Sequence, residues 1–179
     1  MSGDEGDAEL VAAARGGENG AFSALVERHW ARLVALARSI AGDGEAEDVV
    51  QECFLTAWRK LGALREPAAF LAWMQRAVAR AAVRRARWRS LARPLGAVAE
   101  PADPRPGPAA GEWPVAALLA RLAPRQRAVM HLTVVEGMSD REIGARLGID
   151  PASVRAHRRR ARERLRPLLA RERAAAGRG

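Results

Sequence analysis

Apolar positions recur every three or four residues along both ends of the chain, the period of a helix buried on one side. Phe22, Leu25, Val26, His29, Leu33, Leu36, Ala37 and Ile40 follow that period for about six turns, and Gly42 marks the stop. Val50, Cys53, Phe54, Ala57 and Leu61 predict one face of a second helix over 45–61. Pro67 opens a third, with Phe70, Leu71, Met74, Val78 and Ala81 on its inner side. A short helix over 8–15 is expected to pack beneath them. No alternating run of β-branched residues occurs, so the reading is all-α.

The pattern breaks from Arg93 to Pro114, where six prolines and several glycines forbid a continuous helix. A proline-rich stretch of this length is a semi-extended spacer able to reach several tens of ångströms. The expected organisation is therefore two small helical domains, 1–92 and 114–179, joined by a Pro/Gly-rich linker over 93–113. Beyond it come a short helix with Leu118, Leu119 and Leu122, a helix over 124–136 burying Val129, Leu132 and Val135, and two further helices.

Those last two read as a helix-turn-helix. Gly137 ends the preceding helix, and Ser139 followed by Glu142 makes a capping box. Ile143 and Leu147 bury one face, Gly144 removes a side chain where two helices cross, and Gly148 supplies the turn. Asp150 and Pro151 then restart the chain as N-cap and first helical residue. From there Val154 faces inward, while Ser153, Arg155, Arg159 and Arg160 point outward, as a helix laid into a major groove requires. An ordinary hairpin with a solvated basic face would not need turn glycine, small residue and caps all in register.

Charge sharpens this picture. The net charge of +9 hides an asymmetry: residues 1–52 hold eleven acids against four arginines, net −7, so the remainder carries +16. A basic body with an acidic head fits two kinds of partner, a polyanion and a basic protein surface. No acid occurs between Pro67 and Ala99, a stretch that carries Arg76, Arg80, Arg84, Arg85, Arg87, Arg89 and Arg93. Aromatic residues sit among these cations. Phe70 belongs with the core by its spacing, whereas Trp73 and Trp88 fit either a core or a base-stacking role. Cations with exposed π-faces suit single-stranded nucleic acid. One element suits duplex and the other an opened strand, which points to strand opening at a defined site.

Other classes fall away. Cys53 is the only cysteine, so an internal disulfide and a cysteine-based zinc site are not expected, and a reducing, cytoplasmic setting is. The acidic start MSGDEGDAEL precedes no apolar core, and no stretch has the roughly twenty apolar residues of a membrane span. His29, His131 and His157 are spread over separate helices; no phosphate-binding glycine loop and no nucleophile with a base is found. No enzyme, cofactor or metal site is read. A membrane-surface module built on 155–173 lacks the broad apolar face it would need.

The residues that carry these features resemble the sigma factors of bacterial RNA polymerase, specifically the extracytoplasmic-function group. AFSALVERHWARLVALARSIAGDGEAEDVVQECFLTAWRKL is similar to the family's first conserved domain, with AEDVVQE as its specific signature, and LARLAPRQRAVMHLTVVEGMSDREIGARLGIDPASVRAHRRRARERLR to its second. The resemblance implies that the chain binds core RNA polymerase and promoter DNA, docking through Glu47, Asp48, Gln51 and Glu52. It implies that the first domain melts the minus-ten element and the second reads the minus-thirty-five element. Arg65 in the loop over 62–67, with Trp73, Arg76, Arg80, Arg84 and Trp88, would meet the opened strand. Arg155, Arg159 and Arg160 match major-groove positions, and Arg141 a phosphate contact. The resemblance also admits an anti-sigma factor as partner. Arg80 and Arg84 stand where the family commonly has asparagine and aspartate. Arg158 replaces a usual apolar residue, and Ala156 and His157 a usual serine and arginine, so the promoter sequence does not carry over. The rival reading is an autonomous helix-turn-helix regulator that binds duplex DNA without polymerase.

Overall fold

The computed structural model describes residues 3–91 and 115–176. The expected linker over 93–113 lies outside the described residues. Among those described the chain is helical with no strand, in the order α1 (Gly3–Arg15), α2 (Asn19–Ala41), α3 (Asp43–Lys60), 3-10 turns at Leu61–Ala63 and Pro67–Ala69, α4 (Phe70–Leu91), α5 (Val115–Ala120), α6 (Pro124–Val134), α7 (Asp140–Leu147) and α8 (Pro151–Ala176). Two compact units are present, Met1–Ala82 and Val83–Gly179, and the divide falls inside α4.

In the first unit, α2 packs against α1 and α3. Leu25, Leu33, Leu36 and Ile40 of α2 are buried with Val49, Val50, Cys53 and Phe54 of α3 and with Phe70, Met74 and Val78 of α4, as the helical period requires. Aromatic rings join these elements. Phe22 stands edge-on to Phe54, Trp58 and Phe70 at centroid separations of 6.2, 4.9 and 6.5 Å. Gly42 separates α2 from α3 in a single residue because its φ of 95° is open to glycine.

α1 is held by polar groups as well as by Val11 and Ala14. Asp7 is fully buried, its Oδ2 2.8 Å from His29 Nε2, and its Oδ1 accepts from Arg28 Nη1 at 2.9 Å. At the other end of α1, the Arg15 guanidinium donates to the Leu61 carbonyl at 3.2 and 2.9 Å and to the Leu64 carbonyl. These oxygens end α3 and begin the loop, so a cation there also answers the negative end of the helix.

In the second unit, α6 and α7 both pack on α8. Leu119, Leu122, Ala161 and Leu165 form one buried cluster, covered by Leu118, Met130 and Leu168. Val129, Leu132, Ile143 and Val154 are buried, but Val135 is 58% exposed, against the expectation that it joins the core. The helix ends one residue earlier, and the inner face of α6 is completed by Ala128 and His131 instead.

Candidate nucleic-acid interface

The helix-turn-helix is built from local hydrogen bonds. Glu142 N–H donates to Ser139 Oγ at 3.4 Å, and Glu142 Oε2 accepts from Ser139 N–H at 2.8 Å, the reciprocal box read from the sequence. That bonding, led by the Ser139 hydroxyl, holds the Glu142 carboxyl below its usual range. Gly148 takes a left-handed φ of 65°. Gly144 is needed for a different reason from the expected one: a Cβ there would lie 2.7 Å from the Ile149 carbonyl oxygen, so it makes room for the returning turn rather than for a crossing helix. Asp150 then caps α8, accepting from Ser153 N–H at 2.9 Å and from Ser153 Oγ–H at 2.6 Å. The Ser153 hydroxyl lowers the Asp150 carboxyl in the same way.

Arg155, Arg159 and Arg160 of α8 are exposed, and so is Arg141 on α7. Ser153 is half-buried, and its hydroxyl proton is engaged by Asp150, so the oxygen has only its lone pairs left to offer a further partner. Arg158 turns inward. Its Nη2 donates to Asp140 Oδ2 at 3.0 Å and its Nη1 lies 2.8 Å from Oδ1 as an ion contact, Oδ1 accepting no hydrogen bond among the described residues, and the pair ties α8 to the start of α7. His157, half-buried on the same helix, is pushed to lower pKa first by burial and then by Arg125 and Arg160. A groove on α8 is lined by Met130, Leu165 and Leu169 together with Arg155, Arg159 and Arg162.

In the first unit, Glu47, Asp48, Gln51 and Glu52 are all exposed on α3, opposite its buried face. Leu55 and Trp58 extend that outer surface and are 56% and 46% exposed. An apolar residue four places after Gln51, outside the buried register, was the sequence signal for Leu55. Arg65 is exposed in the loop that Arg15 clamps, and the clamp itself joins residues too distant in sequence for any pattern to pair. Arg76 and Arg80 of α4 are exposed in this unit, and Arg84, past the divide on the same helix, is exposed too; Arg80 and Arg84 make no ion pair among the described residues. Trp73 is half-buried, tilted against the buried Phe70 at 6.2 Å, whereas Trp88 is 68% exposed. Of the two tryptophans, Trp88 has the open face a base would stack on.

Among the described residues no group of three or more His, Cys, Asp or Glu is placed to hold a metal, and no helix is long and apolar enough to cross a membrane.

Two family models match this chain: sigma-70 region 2 over residues 25–92 and sigma-70 region 4 over 113–165. It is 34% identical to the ECF RNA polymerase sigma factor SigM of Mycobacterium tuberculosis over 93% of this chain and 86% of the relative. It is 33% identical to the RNA polymerase sigma factor CnrH of Cupriavidus metallidurans, over 94% of this chain and 97% of that one. The solved structure of CnrH in complex with the cytosolic domain of CnrY superposes with a TM-score of 0.65 at 32% identity, covering 92% of this chain and 97% of the other. Two helical units, one ending in a basic helix-turn-helix, thus belong to a transcription initiation protein. The chain is a member of the extracytoplasmic-function group of RNA polymerase sigma factors.

Proposed function

We propose that this chain joins core RNA polymerase through the outer face of α3, reads a minus-thirty-five element with α8 and captures the opened minus-ten strand along α4. The observation that carries the duplex reading is the doubly capped α7–α8 pair, which leaves Arg155, Arg159 and Arg160 on one exposed helix. Arginine paired with guanine in the major groove discriminates by about 1–3 kcal/mol per contact. Region-2-like work falls to 1–92, region-4-like work to 114–179, and the span 93–113 connects them within the polymerase.

Glu47, Asp48, Gln51 and Glu52 supply the polar rim of the polymerase contact. Leu55 and Trp58 add apolar area beside it, the composition of a protein-binding patch. Arg65, Arg76, Arg80 and Arg84 attract the displaced strand, Trp88 stacks an unpaired base, and Trp73 supports Phe70 from the half-buried side. Because Arg80 and Arg84 are cations rather than the amide and carboxylate common in the family, strand capture here rests more on phosphate charge and less on base edges. The chain performs no bond chemistry and acts in the cytoplasm, where polymerase works. An anti-sigma factor is its second protein partner, by likeness to CnrH, which has been solved with the cytosolic domain of CnrY.

Each small unit alone makes few DNA contacts, so the isolated chain binds promoter weakly and with a steep salt dependence. Adding core polymerase converts that binding into opening, read as permanganate-reactive thymines near the start site. Equal specific affinity with and without polymerase, and no reactive thymines, would instead establish the autonomous regulator.

A further inference from the structure

The three arginines on the α8 face are not equally held. Arg160 makes no ion pair among the described residues. Arg159 lies 3.7 Å from Glu163, but both side chains are more than half exposed, at 73% and 66%, and such a pair fixes little. Arg155 is different. Its Nη1 is 4.0 Å from Asp140 Oδ2, and Asp140 is itself only 20% exposed and already held by one hydrogen bond and one ion contact from Arg158.

Asp140 also stands at the first position of α7, where the positive end of the helix favours a carboxylate. The carboxylate is therefore a fixed point on a rigid element, and Arg155 is the one face arginine whose guanidinium leans on it while staying 60% exposed. A carboxylate held 4.0 Å away biases the Arg155 guanidinium toward one side of the face without a hydrogen bond to it, so less side-chain entropy is lost when it pairs with a base. We propose that Asp140 is a positioning residue for promoter discrimination: it orients Arg155 toward one base pair of the upstream element, with Arg158 serving as the strut that holds Asp140. The proposal rests on the reading of α8 as the duplex-binding helix.

The test uses holoenzyme, core polymerase with the full chain, and a duplex promoter library randomised over the upstream element. Selection yields a preference for each base position. Arg155→Ala is expected to erase the preference at one position by about tenfold. Asp140→Asn, close in shape but uncharged, is expected to weaken that same position and leave the others as in the parent. A merely structural role would lower all positions together with the melting temperature. Arg158→Met serves as the second variant. It removes the strut without touching either partner, so Asp140 draws Arg155 inward and the same position loses its preference. Asp140→Asn with an unchanged preference at the Arg155 position, or a uniform loss at every position, overturns the positioning role alone. An Arg155→Ala selection identical to the parent overturns that role and the reading of Arg155 together.

Discussion

Replacing His29 by alanine removes the 2.8 Å partner of a carboxylate that has no exposure of its own. Among the described residues Asp7 would keep only Arg28, whose side chain is 41% exposed and whose attraction is correspondingly screened by water. Leaving a buried carboxylate short of a hydrogen-bond donor costs about 1–3 kcal/mol or somewhat more, and truncating the buried imidazole leaves a cavity beside it, so a loss of about 2–4 kcal/mol is expected. For a unit the size of Met1–Ala82, each kcal/mol moves the midpoint by roughly 4–8 °C. His29→Ala should therefore lower the first unfolding transition of the full chain by ten degrees or more. Amide exchange should rise first in α1, whose polar anchor is lost, before α2 and α3. Asp7→Asn keeps the shape and some hydrogen bonding, and is expected to cost about half as much. A His29→Ala chain that melts within a degree or two of the parent, with α1 equally protected, would refute the view that this buried pair docks α1.

Asp48→Arg is expected to abolish core-polymerase capture in a pull-down while leaving the melting transition within the ordinary range of a surface change, because Asp48 is exposed and outside the core. Arg15→Ala should loosen the loop at Leu61 and Leu64, raising its proteolytic cleavage, with partial rescue by Arg15→Lys, which restores charge but not the forked geometry. The Asp150 carboxyl is lowered, so its cap stabilises the second unit fully above the usual carboxylate range and is lost as pH falls through its depressed value. Asp150→Ala should flatten that acid limb in a stability-against-pH profile. His157 is also lowered, but as a base: its unfolded form takes up a proton first, so it destabilises the second unit as pH falls through the usual histidine range, and His157→Gln should remove that loss in the same profile.

What the sequence revealed and what it hid divide by distance along the chain. The boxes at Ser139 and Asp150 involve residues three apart, so their chemistry is written into adjacent letters. The buried faces of α2, α3 and α4 follow from one period, and all-α architecture came with them. The contacts that orient the sites did not: Arg15 reaches a carbonyl 46 residues away, Asp7 meets His29 22 residues on, and Asp140 meets Arg158 18 residues on. Each of those side chains looks in the sequence like an ordinary surface charge or core filler. Val135 fits the period of α6 but falls after its end, where periodicity stops constraining burial. Gly144 was legible as a required small residue, but the atom that requires it is a backbone oxygen placed by the turn.

Transcription in vitro from a library of genomic fragments, with purified core polymerase and with or without this chain, tests the proposed function most directly. New start sites that depend on the chain and share two spaced upstream elements are the expected result. Specific duplex binding by the chain without any dependent start site would contradict it.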